Sequence, residues 1–170
     1  MPIDACQHKF LDLTLRVFPQ YMDRMRRALE TPHPMADFCK AGVGPSFLTK
    51  QLGLKGDFSG CYVLIDAGTP IYVGISRTVI ARLRQHVFGK THFDASLAYR
   101  MACKNAPHRV TRSQAMQDAD FKAAFDAAQT HLRSLACATL AIENPLELYL
   151  FEAFSATELD TAVWNTSATH

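Results

Sequence analysis

Between Gly60 and Ile75, two short apolar runs flank a Gly/Pro turn. They read Gly60-Cys61-Tyr62-Val63-Leu64-Ile65-Asp66, then Ala67-Gly68-Thr69-Pro70, then Ile71-Tyr72-Val73-Gly74-Ile75. β-branched and aromatic runs bounded by turn residues form antiparallel strands. Strand side chains alternate between faces, so the pairing register decides what each face carries. A four-residue loop over Ala67 to Pro70 would put Tyr62 and Tyr72 on opposite faces. They share a face only with a three- or five-residue loop, or with a bulge near Gly68. We expect one of these arrangements.

The rest of the chain reads as helices packed around this hairpin. Residues 5 to 30 repeat Phe10, Leu13, Val17, Tyr21, Met25 and Leu29 at helical spacing, and Thr31-Pro32-His33-Pro34 ends the run. Short helical pieces follow at 35–40 and 46–52. Strands are expected at 58–66 and 70–75. Helices are expected at 77–89 (Ile80, Leu83, Val87 inward), 93–105 (Leu97, Met101 inward) and 118–134 (Phe121, Phe125, Ala128, Leu132 inward). Leu135 to Ile142 is a strand by composition. A last helix opens at Asn144-Pro145, an N-cap followed by proline at the first helical position, with Glu147 at capping-box spacing. The fold class is α/β, with residues 1–55 a helical extension and 56–170 the main domain.

Composition excludes some classes. With 48% apolar and 20% charged residues the chain is ordinary globular material. Five cysteines, at 6, 39, 61, 103 and 137, show no metal-ligand or redox spacing, which suits reduced thiols in the cytoplasm. No run is long and apolar enough for a membrane span. The net charge of +2 hides an asymmetry. Eight Lys/Arg stand against one acid between Ser76 and Arg112, whereas the chain from Ser134 on has five acids and no Lys or Arg. A basic middle and an acidic tail suit a polyanion-binding face beside a carboxylate, or two solvated helix faces of opposite sign.

The ordered set is more telling than the hairpin alone: Gly60-Cys61-Tyr62, then Tyr72-Val73-Gly74, then Arg82 and His86, a late Glu152, and Asn165. This set resembles the GIY-YIG nuclease superfamily, closely over 58–88 and loosely over 145–166. Cys61 and Val73 depart from the family's isoleucines at apolar positions. The resemblance implies a small three-stranded antiparallel sheet flanked by helices. It implies divalent-metal-dependent hydrolysis of nucleic-acid phosphodiesters, DNA being the expected substrate, with Mg2+ or Mn2+ held mainly by Glu152. Tyr62 and Tyr72 match the motif tyrosines, Arg82 the phosphate-contacting arginine, His86 the position after it, and Asn165 the late asparagine.

The residue chemistry agrees in several places. Arg82 and His86 are one helical turn apart and stack on one face. A guanidinium offers a planar fork of donors to a phosphate. His86 either supports a tyrosine, transfers a proton, or is a surface histidine. Glu152 lies in a helix that is apolar on nearly every side, where an unpartnered carboxylate is costly, so a metal ion or a basic partner is expected. A free phenol ionises near pH ~10, so Tyr62 as a general base or water-positioning group needs a neighbouring cation, and Tyr72 would orient phosphate or water. Asn165 bonds a tyrosine, bonds backbone near the site, or caps a turn, and the closing Thr169-His170 would fold back to the site. Arg77, Arg84, Lys90, Arg100 and Lys104 are candidates to track a nucleic-acid backbone. The alternatives to an enzyme are a non-cleaving nucleic-acid-binding module on the same fold, or a partner protein with no nucleic-acid affinity. The sequence leaves the oligomeric state and the role of His92 open.

Overall fold

The computed structural model describes residues 2–40 and 42–166. The expected fold-back of Thr169 and His170 lies outside the described residues. The chain divides into two compact units. One takes the residues up to His33, Gly56–Val79 and the chain from Ala136 on. The other takes Pro34–Lys55 and Ile80–Leu135. The boundary expected near residue 55 is thus one of several crossings between units.

The first unit is built on a sheet. Strands β2 (Gly60–Asp66), β3 (Thr69–Ser76) and β4 (Ala136–Ala141) pair antiparallel, with β2 in the middle. With β1 (His33–Pro34), the sheet has four strands among the described residues, in the order β1-β4-β2-β3, where three were expected. The added strand β1 is only His33–Pro34, too short to leave any periodic pattern in the sequence.

One face of the sheet carries Cys61, Val63, Ile65, Val73, Ala138 and Leu140 into a core shared with helix α1 (Phe18–Glu30) and helix α5 (Pro145–Glu158). Burying each large apolar side chain there contributes on the order of 1.5–3 kcal/mol. Helix α5 starts as its sequence requires: Asn144 Oδ1 accepts the Glu147 amide at 3.1 Å, and Pro145 lies in the first turn.

The N-terminal helical stretch differs from the simple stripe expected over 5–30. It begins at Phe10, passes through a π-helical turn at Leu13–Val17, and continues as α1. A π turn spends one extra residue per revolution. The inward positions therefore step from Leu13 to Phe18, Met22 and Met25, while Phe10 is left exposed.

The second unit is helical. It holds most of α2 (Val79–Phe88), with α3 (Ser96–Asn105) and α4 (Ala119–Ser134). Leu97 and Met101 of α3, and Phe121, Phe125, Ala128 and Leu132 of α4, are buried as their spacing requires. Tyr99 packs on Phe121 with ring centroids 5.2 Å apart. A short helix missed in the sequence, Arg112–Ala115, is closed by a capping box between Thr111 and Gln114. No helix among the described residues is long and apolar enough to cross a membrane.

Candidate active site

The turn of the hairpin has two residues. Asp66 pairs with Thr69, and Ala67 and Gly68 form a two-residue turn with φ of 46° and 84°. Positive φ at both central residues is the geometry that matches the twist of paired strands. That turn alone would set Tyr62 opposite Val73. The register shifts between Leu64 and Ile65, whose partners are Tyr72 and Pro70, so Ile71 is the extra residue of a bulge. Beyond the bulge Tyr62 faces Gly74. Residues directly opposite share a face, so Tyr62, Leu64 and Tyr72 all lie on the side away from Cys61 and Val63. The two tyrosine rings lie 6.2 Å apart and tilted by 56°. Of the arrangements expected, the bulge is the one present, at Ile71, three residues from Gly68.

Both motif glycines are set by close approach. A Cβ built on Gly74 would lie 2.5 Å from Tyr62 Cζ and closer still to its hydroxyl oxygen. A Cβ on Gly60 would meet the Leu140 carbonyl, its carbon at 3.0 Å. The glycine of the second triplet is thus the floor under the tyrosine of the first, and the glycine of the first lets β4 close against β2. Tyr62 is 1% exposed and Tyr72 9%.

Asn165 reaches the same strand from the chain's end. Its Oδ1 accepts the Val73 amide at 2.8 Å and its Nδ2 donates to the Val73 carbonyl at 2.7 Å. The side-chain amide satisfies both backbone groups of an edge strand, as a neighbouring strand would. Of the roles open in the sequence, the backbone contact is the one these bonds describe.

Glu152 lies on α5 between Leu148 and Ser155, a strip whose neighbours pack toward Cys61. Ser155 Oγ is 3.9 Å from Cys61 Sγ. Glu152 is half-buried. It lines a cavity of about 540 Å³ with Ser59, Ser76, Arg77, Glu143 and Tyr149, at the Gly60–Ser76 end of the hairpin. The tyrosines and Glu152 therefore belong to opposite faces of the sheet, with Glu152 at the strand ends.

The burial argument made for Glu152 applies with more force to Glu147. Glu147 is 6% exposed. Its carboxylate does not serve the helix cap. It accepts from Tyr21 Oη at 2.7 Å, and contacts His8 Nδ1 at 2.8 Å and Cys6 Sγ at 3.6 Å. Burial alone would raise its pKa, but these hydrogen bonds and the nearby His8 outweigh that and hold it below the usual carboxylate range. Helical spacing could not separate the two acids, because the partners of Glu147 come from a segment some 130 residues away.

The remaining candidates lie in the second unit. Arg82 donates from Nη1 to the Asp94 carbonyl at 2.7 Å and to Gln85 Oε1 at 3.2 Å, and from Nη2 to Ser96 Oγ at 3.1 Å. His86 is fully buried and continues the Ile80–Leu83–Val87 stripe, so it is not a surface residue. Burial first, then the charges of Arg82 and Arg100, push its pKa down to about 3. It is neutral at physiological pH and a weak base there. Arg84 donates to the Phe38 carbonyl at 2.7 Å and lies over the Phe88 ring, which leaves it half-buried. Arg84, Lys90 and Lys40 line a basic cavity of about 590 Å³, with Asp94 as its acid. Lys104 is exposed on α3, and Arg100 is half-buried.

The residues around Glu152 suit a hard cation that keeps several waters, with carboxylate and hydroxyl oxygens facing an open cavity. Among the described residues, the group of metal-ligating side chains with ligand atoms close together is elsewhere, at Cys6, His8 and Glu147. An ion at Glu152 would rest on one carboxylate plus water and substrate oxygens. No family model matches this chain, and neither the curated proteins nor the solved structures yield a match.

Proposed function

We propose that the protein is a divalent-metal-dependent endonuclease that hydrolyses nucleic-acid phosphodiesters, with DNA as substrate. The observation that carries this reading is the bulged hairpin. An extra residue at Ile71 is spent to bring Tyr72 onto the face of Tyr62, and Gly74 is emptied to seat the Tyr62 ring. The ordered residues that follow, Arg82, His86 and Glu152, keep the same resemblance.

Hydrolysis forms a bond from a water oxygen to phosphorus, breaks one P–O ester bond, and leaves a proton on the departing oxygen. Glu152 would hold a magnesium or manganese ion, which supplies positive charge against the phosphate oxygens. Because Tyr72 lies on the face of the sheet away from Glu152, it shapes the hairpin that carries the strand ends rather than touching the phosphate held at Glu152. Tyr62 is closed in over Gly74 and positions its neighbour rather than meeting solvent. Within the second unit Arg82 is anchored by Asp94 and Ser96, and the resemblance makes it the candidate for phosphate contact. His86 is neutral and buried, and serves as a hydrogen-bonding support rather than as the proton acceptor.

The test is cleavage of single-stranded, duplex and branched DNA, with RNA in parallel, in magnesium or manganese. We expect metal-dependent cleavage that Glu152→Ala lowers by about a hundredfold or more. Cleavage left intact by that substitution removes Glu152 from the site. A second reading, a binding module without cleavage, is favoured by the near-complete burial of Tyr62. It predicts salt-dependent DNA binding with no cleavage in either metal.

A further inference from the structure

The first unit holds a second constellation, unrelated to the tyrosines. The segment Cys6-Gln7-His8 precedes the N-terminal helical stretch and turns two side chains toward α5. Cys6 Sγ, His8 Nδ1 and a Glu147 carboxylate oxygen lie within 4.8 Å of one another. The segment is anchored at its start. Asn144 Nδ2 donates to the Asp4 carbonyl at 2.9 Å, and Cys6 N–H donates to the Ile3 carbonyl at 2.9 Å. Cys6 is 4% exposed and Glu147 6%, whereas the His8 side chain is 39% exposed. The second oxygen of Glu147 accepts from Tyr21 Oη, which fixes the carboxylate's orientation.

We propose that Cys6, His8 and Glu147 form a zinc site that ties the N-terminal segment to the start of α5. Thiolate, imidazole and carboxylate together suit zinc and other borderline-soft ions, and disfavour magnesium and calcium. In a tetrahedral zinc site the sulfur–oxygen edge is about 3.6 Å and the nitrogen–oxygen edge about 3.3 Å. The Cys6–Glu147 separation already has the first value. The His8–Glu147 pair, now at 2.8 Å, opens by about half an ångström when an ion replaces the hydrogen bond. Binding releases the Cys6 thiol proton to solvent and converts the sulfur to thiolate. Tyr21 is the outer partner that such ligating carboxylates use.

The experiment is a Co2+ titration of the full chain after chelator treatment, followed by absorption and then by Zn2+ displacement. We expect one tightly bound Co2+ per chain, with a thiolate-to-cobalt charge-transfer band that zinc abolishes. Cys6→Ser removes the band. His8→Ala and Tyr21→Phe each weaken Zn2+ binding by about tenfold or more. Chelation lowers the Tm of the wild type but not of the Cys6→Ser, His8→Ala double variant. Cobalt bound without a thiolate band overturns the proposal, and so does affinity unchanged in His8→Ala, whose exposed side chain can be removed without emptying the core. Either result leaves the cluster as a hydrogen-bonded clasp only. A magnesium ion at Glu152 has no thiolate to give this band, so the titration does not depend on the nuclease reading.

Discussion

The Tyr62 ring occupies the space that any side chain on Gly74 would need: a Cβ there would stand 2.5 Å from Tyr62 Cζ. The two residues face each other across β2 and β3 because of the bulge at Ile71. The tyrosine and the glycine of the two motif triplets are therefore one steric unit.

Gly74→Ala should destabilise the protein by about 1–3 kcal/mol, the usual cost of overpacking a filled site. The Tyr62 ring is buried and cannot swing aside cheaply. Urea denaturation of Gly74→Ala, Tyr62→Ala and the double variant should show strong positive coupling, the alanine at 74 costing little once the ring is gone. Additive effects would mean that the two residues are not in contact.

His86 makes stability pH-dependent in a defined direction. Its folded pKa is depressed from 6.5 to about 3 by burial and by Arg82 and Arg100. Between those values the unfolded chain binds a proton that the folded chain refuses, so its contribution is present above pH 6.5 and is lost as pH falls toward 3. Tm measured from pH 7 down to pH 5, above the range where Glu147 titrates, should fall less steeply for His86→Gln than for the wild type. Equal slopes would show that His86 is protonated in the folded state.

Asn165→Ala should cost about 1–3 kcal/mol, because it leaves both backbone groups of Val73 without the bonds they now make to the side chain. Hydrogen exchange at the Val73 amide should accelerate, while the amides of β2 keep their protection. An unchanged Val73 amide together with lost cleavage would instead point to direct action of Asn165 on substrate.

Arg77 and Lys90 lie on separate cavities, one in each unit. For whichever cavity nucleic acid meets, the alanine substitution there should weaken binding to all sequences alike and reduce the slope of log affinity against log salt by about 1. A substitution that leaves the slope unchanged takes that residue off the path.

Much of this protein was legible in its residues. The strands at β2, β3 and β4 and the buried stripes of α3 and α4 follow from period and turn chemistry, which are local properties. The N-cap at Asn144 was legible for the same reason. Three features were not. The π turn at Leu13–Val17 leaves a stretch that still fits an uninterrupted helix on paper, and only packing shows that Phe18 and Met22 point inward. Strand parity demanded a bulge or an odd loop, but the choice of Ile71 depended on which pairing seated the Tyr62 ring over Gly74. Lastly, α5 is apolar nearly all round, so spacing could not rank its acids. Glu147 was selected as the buried one by Tyr21, His8 and Cys6, and Glu152 was left on a cavity wall. The sequence by itself determined the elements and the candidate chemistry, because both depend on near neighbours along the chain. The tertiary structure decided which side chains share a face, which are closed to water and which partners surround Glu147, because those depend on contacts between residues far apart in the chain.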